Sequence, residues 1–168
     1  MSKMPMPDRY ATLADFCRVF THDTASLYLL SLLLTGNQTS AEKCFVSSVA
    51  DTMPKKAVFK EWARPYVRRI IVQNAIRMLK PAAHGGSDGS DSVRDASTRD
   101  LAPELSPVLR LDRFERFVFV LAILERYSIH ECSLLLSCSN RQVLTARINA
   151  LRTLAMFAAQ PIRLQRTA

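Results

Sequence analysis

The same spacing of polar residues precedes three apolar runs in the last third of the chain. In each case an Asp or a Ser is followed three residues later by Glu or Gln, which is the capping-box spacing of a helix start. The three pairs are Asp112 and Glu115, Ser128 and Glu131, and Ser139 and Gln142. We therefore expect three helices, the first continuing through Leu124 and the last running to about Ala159, before Pro161. Only Ser137 and Cys138 separate the last two helices.

A short helix, a tight turn and a longer helix form the helix-turn-helix arrangement, whose second helix enters the major groove of DNA. At about 100° per residue, the last helix divides into two arcs. The arc predicted to pack holds Val143, Leu144, Ile148, Leu151, Leu154 and Ala155. The polar arc holds Arg141, Gln142, Thr145, Asn149 and Arg152. Arg, Gln and Asn can bind base edges, and Ser139 or Asn140 can meet a phosphate at the helix start. The alternative is an ordinary three-helix bundle with a solvated polar face.

The first half of the chain is also patterned as helices. An apolar run over residues 27–34 ends at Thr35-Gly36-Asn37, and a new helix is predicted to start near Thr39. A third helix should run from about Pro65, suited to a first helical turn, to Leu79. Apolar residues at helical spacing in the first 25 positions are expected to belong to the core. They are Leu13, Phe16, Val19 and Phe20.

Composition agrees with an all-α fold. The 168 residues are 48% apolar, with only 4 Gly and 13 aromatic side chains, a balance that favours helix over sheet. Residues 81–108 hold three of the four glycines and have no apolar period, so they are predicted to form a flexible acidic linker. The prediction is two small helical domains, 1–80 and 109–168, joined by that linker.

The net charge of +8 is unevenly distributed. Residues 1–80 carry 12 basic and 6 acidic side chains, residues 81–108 carry 2 and 5, and residues 109–168 carry 9 and 4. The excess is densest in residues 53–80, with eight Lys or Arg and one Glu, and in residues 132–168, with five Arg and no acid. Two basic domains suit a polyanionic partner such as DNA. A solvated helix face is the alternative for either stretch taken alone.

Several classes of protein are not expected. The apolar runs are far shorter than the roughly 20 residues of a membrane span, and the N-terminus lacks a signal-peptide core, so we expect a cytoplasmic location and reduced thiols. His130, Cys132 and Cys138 lack the paired spacing of a zinc site. The chain has no phosphate-cradling glycine loop and no recognisable catalytic arrangement, so neither an enzyme nor a cofactor is predicted.

Residues 110–121, RLDRFERFVFVL, and 127–143, YSIHECSLLLSCSNRQV, resemble region 4 of the extracytoplasmic-function type of bacterial sigma-70 factors. In that family a Ser-hydrophobic-x-Glu helix is followed by Leu-Leu-Gly-Cys-Ser and by the recognition helix, which binds the minus-35 promoter element. The resemblance implies that the same helix binds duplex DNA here. The residues assigned to it are Ser139, Asn140, Arg141, Gln142, Thr145, Asn149 and Arg152. Ser137 stands where the family has Gly, so a turn with positive φ would carry a modest cost.

The first half resembles sigma region 2, through residues 27–36, the pair Ala41-Glu42, and the aromatic-hydrophobic-x-Arg-Ile helix that starts at Tyr66. In the family this helix melts and captures the minus-ten element, with basic residues on phosphates and aromatic side chains against unstacked bases. The residues that the resemblance assigns to this role are Trp62, Arg64, Tyr66, Arg68, Arg69, Gln73 and Asn74. Trp62 can equally be a core anchor.

The resemblance implies promoter DNA and core RNA polymerase as partners, and it leaves open an anti-sigma factor as a third. The family's contact with polymerase carries an Asp after Ala-Glu and a Gln three residues later, whereas this chain has Lys43 and Val46. Three hypotheses follow. The chain is a sigma-like initiation factor, a degenerate sigma-like regulator that binds DNA without productive polymerase binding, or a helical module whose basic faces meet an acidic protein.

Overall fold

The computed structural model describes residues 9–52, 57–83 and 103–159. Within these ranges the regular elements are helical, which confirms the all-α prediction. The chain divides after Lys80 into two compact units, each with its own core. Unit 1 is the N-terminal one and unit 2 the C-terminal one. Residues 84–102, most of the predicted linker, lie outside the described ranges, as do the N-terminal residues 1–8 and the final basic stretch after Ala159.

In the residues of unit 1 that the structure describes, three α-helices pack pairwise as a bundle, α1 (Leu13–Thr35), α2 (Gln38–Asp51) and α3 (Ala63–Leu79). The predicted stop is confirmed, because Gly36 ends α1 in the left-handed conformation at φ 83°. Asn37 then caps α2 by accepting a hydrogen bond from the Ser40 backbone amide at 2.8 Å. The third helix begins at Ala63, two residues before the predicted start, and ends at Leu79 as predicted.

The core of unit 1 is built from the apolar half of α1 and the inward face of α3. Leu27, Leu34, Val67 and Ile71 are fully buried there. Of the four early apolar residues predicted to be core, Phe16 is buried, and Val19 and Phe20 are half-buried. The fourth, Leu13, is exposed in the first turn of α1, so the prediction is wrong at that residue.

In unit 1, the segment before α1 pairs with the segment before α3 through two backbone hydrogen bonds. The Ala11 amide donates to the Val58 carbonyl at 2.6 Å and the Lys60 amide donates to the Arg9 carbonyl at 2.9 Å. The rings of Tyr10 and Phe59 stack over this bridge with centroids 5.1 Å apart. The segment before α1 is thereby tied to the 3₁₀ turn Lys60–Trp62 that leads into α3.

The described part of unit 2, residues 103–159, contains four α-helices, α4 (Ser106–Leu109), α5 (Arg113–Phe119), α6 (Ile129–Leu135) and α7 (Asn140–Ala158). A π-helical turn, Val120–Leu124, continues α5, and together they cover the first helix predicted in this half. The predicted linker differs from the structure at its end, because a 3₁₀ turn, Pro103–Leu105, leads directly into α4. Pro107 in the first turn favours that helix, and its half-buried Val108 and Leu109 give it a packed side.

The core of unit 2 lies between α5 and α7, where Phe117, Leu121 and Val143 are fully buried. Arg116 is buried beside them and donates from Nη1 to the carbonyl oxygens of Leu109 and Leu111, each at 3.4 Å. Burial lowers the pKa of Arg116 to about 10, so its guanidinium stays charged at neutral pH and holds the α4–α5 turn. The turn's Arg110 also lies 5.7 Å from the ring centroid of Phe157, near the end of α7.

Candidate nucleic-acid interface

A capping box lies at the N-terminus of each helix of the helix-turn-helix formed by α6 and α7. Ser128 caps α6 with Glu131, and Ser139 caps α7 with Gln142, as the sequence predicts. At the second box the Oε1 atom of Gln142 accepts from the Ser139 amide at 2.8 Å and from its hydroxyl at 2.9 Å. At Asp112 only the cap is present, with its carboxylate accepting from the Phe114 amide at 3.1 Å. The side chains that set the start of α7 are therefore committed to the backbone.

The turn between α6 and α7 is a Schellman motif. The Cys138 amide donates to the Ser133 carbonyl at 3.0 Å, and the Ser137 amide donates to the Leu134 carbonyl at 3.4 Å. Ser137 has φ 51°, so this position adopts the left-handed conformation in which the family pattern has Gly. Four residues, 136–139, separate the end of α6 from the start of α7, and the two helices pack on each other.

The structure overturns the predicted facing of α7. Its buried residues are Val143, Ala146 and Ala150, whereas Leu144 and Ile148 are 46% and 55% exposed. Leu151 and Ala155, also predicted to pack, are exposed as well, and of the predicted arc only Val143 and Leu154 face inward. The prediction placed the large apolar side chains of α7 in the core, but the small residues Ala146 and Ala150 lie on the packed side instead.

The outward face of α7 keeps part of the predicted DNA-binding set. Asn140, Arg141, Thr145 and Arg152 are exposed. Asn149 is half-buried near the edge of the packed face. Ser139 is exposed, but its hydroxyl and the Oε1 atom of Gln142 are held in the capping box.

Two further exposed residues of this face are apolar and were not among the predicted DNA-binding residues. Leu144 and Ile148 lie on the same side of α7 as Arg141, Thr145 and Arg152. The signal that could have found them is the pattern of small residues at positions 146 and 150, which marks the side on which another helix can pack closely. The outward face, defined here as Arg141, Leu144, Thr145, Ile148 and Arg152, is therefore mixed apolar and basic.

The predicted single-strand residues of unit 1 lie on α3 and on the 3₁₀ turn before it, and they separate into four groups. Trp62 and Arg69 are exposed, at 59% for Trp62, and Gln73 is half-buried on the same side of the helix. Tyr66 is half-buried and its ring packs on Phe16 with centroids 5.7 Å apart. Trp62 is thus an exposed residue and not a core anchor.

Arg64 and Arg68 turn toward α1. Arg64 forms a bidentate ion pair with Asp23, and the hydrogen bonds from Arg64 hold the pKa of Asp23 below its usual range. Arg68 donates from Nη1 to the Ser26 hydroxyl at 3.0 Å. These two guanidinium groups link α3 to α1 and lie beside, not within, the group formed by Trp62, Arg69 and Gln73.

Asn74 does not belong to any exposed surface. It is 3% exposed, and its amide nitrogen donates to the Ser48 hydroxyl of α2 at 3.0 Å. That hydroxyl in turn donates to the Cys44 carbonyl at 2.7 Å. The assignment of Asn74 to the opened DNA strand is therefore corrected, because this residue joins α3 to α2 inside the core.

Further basic residues surround the exposed side of α3. Arg77 pairs with Asp51 at 3.3 Å, Lys60 lies 3.9 Å from the carboxylate of Asp15, and Lys80 is exposed at the end of the helix. The cations of both pairs are exposed to solvent, so the pairs contribute little stability. Lys43 and Val46 are both exposed on α2, with Val46 at 66%.

Comparison of the chain with protein-family models, curated proteins and solved structures finds no match. In the part of the chain that the structure describes, no three His, Cys, Asp or Glu side chains are grouped so that they could hold a metal ion. None of the described helices is both long and apolar enough to cross a membrane.

Proposed function

We propose that this chain is a sigma-like transcription initiation factor that binds core RNA polymerase and directs it to promoter DNA. The observation that carries the proposal is the helix-turn-helix of unit 2, in which the capping boxes and the Schellman turn present a basic outward face of α7. Along Asn140–Ala158 this helix has three Arg and no acidic residue. A helix with this charge is suited to the major groove of a duplex.

In this proposal unit 1 binds the opened strand. Exposed Trp62 offers a flat ring on which an unstacked base can lie, and Arg69, on the same side of α3, can neutralise a neighbouring phosphate. Tyr66 contributes less, because one side of its ring is covered by Phe16. The two units then recognise two DNA elements, and a tether between them raises the effective concentration of the second element once the first is bound.

The second candidate is a sigma-like regulator that binds DNA without engaging polymerase. It is favoured by Lys43 and Val46, which occupy the exposed side of α2 where the resemblance places an acid and an amide for polymerase. A Lys at a contact that expects Asp reverses the local charge. The third candidate, a protein-interaction module, shares the basic faces but needs no nucleic acid.

A salt titration of duplex binding separates the DNA-binding candidates from the third. Neutralising several phosphates makes affinity fall steeply with salt, and Arg141→Ala or Arg152→Ala should each weaken binding by about 1–3 kcal/mol if the residue contacts a base. Lys80→Ala, an exposed cation in the other unit, is the matched control for non-specific charge loss. Absence of binding at low salt would contradict both DNA-binding candidates.

Pull-down of core RNA polymerase and run-off transcription separate the first candidate from the second. The initiation factor co-purifies with polymerase and supports transcripts. If the full chain binds duplex DNA but never co-purifies, the regulator is the better description. In that case Lys43→Asp combined with Val46→Gln should increase polymerase capture, because it restores the charge and the amide that the family uses there. Val49→Gln, at another exposed apolar residue of α2, is the control.

A further inference from the structure

One side of the outward face of α7 is apolar. At about 100° per residue, the five residues of this face fall within an arc of about 100°, with Ile148 between Arg141 and Leu144 in angle. Leu144 and Ile148 are exposed while the smaller Ala146 and Ala150 are buried. Leu144 and Ile148 are exposed to water next to Arg141 and Arg152. A partner that covers this face would therefore offer apolar groups to the aliphatic side chains and hydrogen-bond acceptors to the Arg side chains.

The major groove offers one apolar group, the 5-methyl of thymine. Its other edge groups are polar, and the guanine acceptors O6 and N7 are the usual partners of Arg. We infer that Leu144 and Ile148 contact thymine methyl groups, so that they determine which base pairs α7 prefers. This inference rests on the proposed function, because it requires α7 to enter the major groove.

Charge distinguishes this occupant from a second copy of the chain. Arg141 and Arg152 flank the aliphatic pair, and Asn140–Ala158 contains no acidic residue. Two such faces in contact would bring like charges together, whereas a duplex brings phosphates to the Arg side chains and methyl groups to the aliphatic ones. The positions of Leu144 and Ile148 also favour duplex DNA as the partner. Both lie in the N-terminal half of α7, the part of a recognition helix that contacts base edges.

The test starts from a random-sequence duplex library, from which the full chain selects its preferred site. Each thymine of the selected site is then replaced by deoxyuridine, which removes only the methyl group. For the unmodified chain we expect two thymines, one for each aliphatic side chain, at which uracil lowers affinity about fourfold, the factor that corresponds to burying one methyl group. In Leu144→Ala or Ile148→Ala that difference should disappear at one thymine and persist at the other.

Leu151→Ala is the matched control, because Leu151 is an exposed leucine one turn further along the same helix, and it should keep the full uracil effect. Equal affinity for the thymine and uracil duplexes in the unmodified chain overturns the inference while leaving duplex binding, and the proposed function, intact. A chain that selects no duplex overturns both. An unchanged uracil effect in both variants, with a change in sedimentation that reports lost self-association, assigns the face to protein contact and also overturns the inference.

Discussion

At the scale of single residues, Asn74 shows how a side chain typical of DNA recognition can serve the core. The resemblance to sigma region 2 assigns this residue to the opened DNA strand, but its amide nitrogen donates to the Ser48 hydroxyl. Nothing in the local sequence separates these roles, since both place a polar residue among apolar ones. Only the approach of α2, fixed by residues 26 positions away, decides between them.

Asn74→Ala should therefore destabilise unit 1. Removing the amide leaves the buried Ser48 hydroxyl with one hydrogen-bond partner fewer and opens space in the core, so we expect the free energy of unfolding to fall by about 1–3 kcal/mol. Hydrogen exchange of unit 1 peptides measures this loss. Arg69→Ala, at an exposed position of the same helix, should stay within about 0.5 kcal/mol of the parent chain. Equal protection in both variants would contradict the structural role of Asn74.

Cys132 makes a pH-dependent contribution to stability. Burial, with smaller effects of Glu131 and Cys138, raises the pKa of this thiol to about 11 from an ordinary value of 9.0. The unfolded chain loses the proton more readily than the folded chain, so stability is fully present below pH 9 and falls as pH rises toward 11. Urea titrations of the Cys132→Ala variant should show a shallower fall over this interval than those of the parent chain. Parallel curves for the two proteins would indicate that Cys132 contributes no such dependence.

At the scale of the elements, helix ends were predicted better than helix faces. Ser128, Ser139 and Asn37 each cap a helix within one or two residues of the predicted start, because a cap depends on neighbours in sequence. The facing of α7 depends instead on what packs against it. Apolar residues occur on both sides of this helix, so its periodicity alone did not show that the alanines, not Leu144 and Ile148, are buried.

Ser137 is the element-scale position where a single substitution should increase stability. The left-handed conformation costs a non-glycine residue about 1–2 kcal/mol of folding free energy. Glycine avoids this cost but loses about 0.5–1 kcal/mol, because its unfolded state has more backbone entropy. Ser137→Gly should therefore raise the stability of unit 2 by about 0.5–1 kcal/mol, and Ser137→Val should lower it, because a β-branched residue fits positive φ poorly. Hydrogen exchange of α6 and α7 checks the order Gly, Ser, Val. Any other order would contradict the assigned turn geometry.

At the scale of the whole molecule, the described residues form two units with separate cores. The large buried residues of unit 1 include Leu27 and Ile71, and those of unit 2 include Phe117 and Val143. Composition indicated two basic parts, but it placed the start of the second too late, because the short apolar stretch at 105–109 carries no periodicity from which a helix can be recognised.

Residues 1–83 and 103–168, produced separately, should each fold and unfold cooperatively. Circular dichroism during urea titration measures this directly. Under the proposed function the 103–168 fragment should bind duplex DNA more weakly than the full chain on a promoter-length probe, because it loses the gain from two linked sites. Equal affinities on that probe would argue against bipartite recognition, and a fragment that stays unfolded would contradict the separate cores.

The two alanines beneath the outward face of α7 divide that helix into positions with different freedom to diverge. A larger side chain at position 146 or 150 would separate α7 from the helices it packs on, so substitutions there are restricted to very small residues. Leu144, Thr145 and Ile148 face solvent and can change without altering the core. Under the proposed function, a duplicated copy of this gene could therefore acquire a new DNA-binding preference through these three codons while retaining its scaffold, which makes them the first positions to randomise in directed evolution.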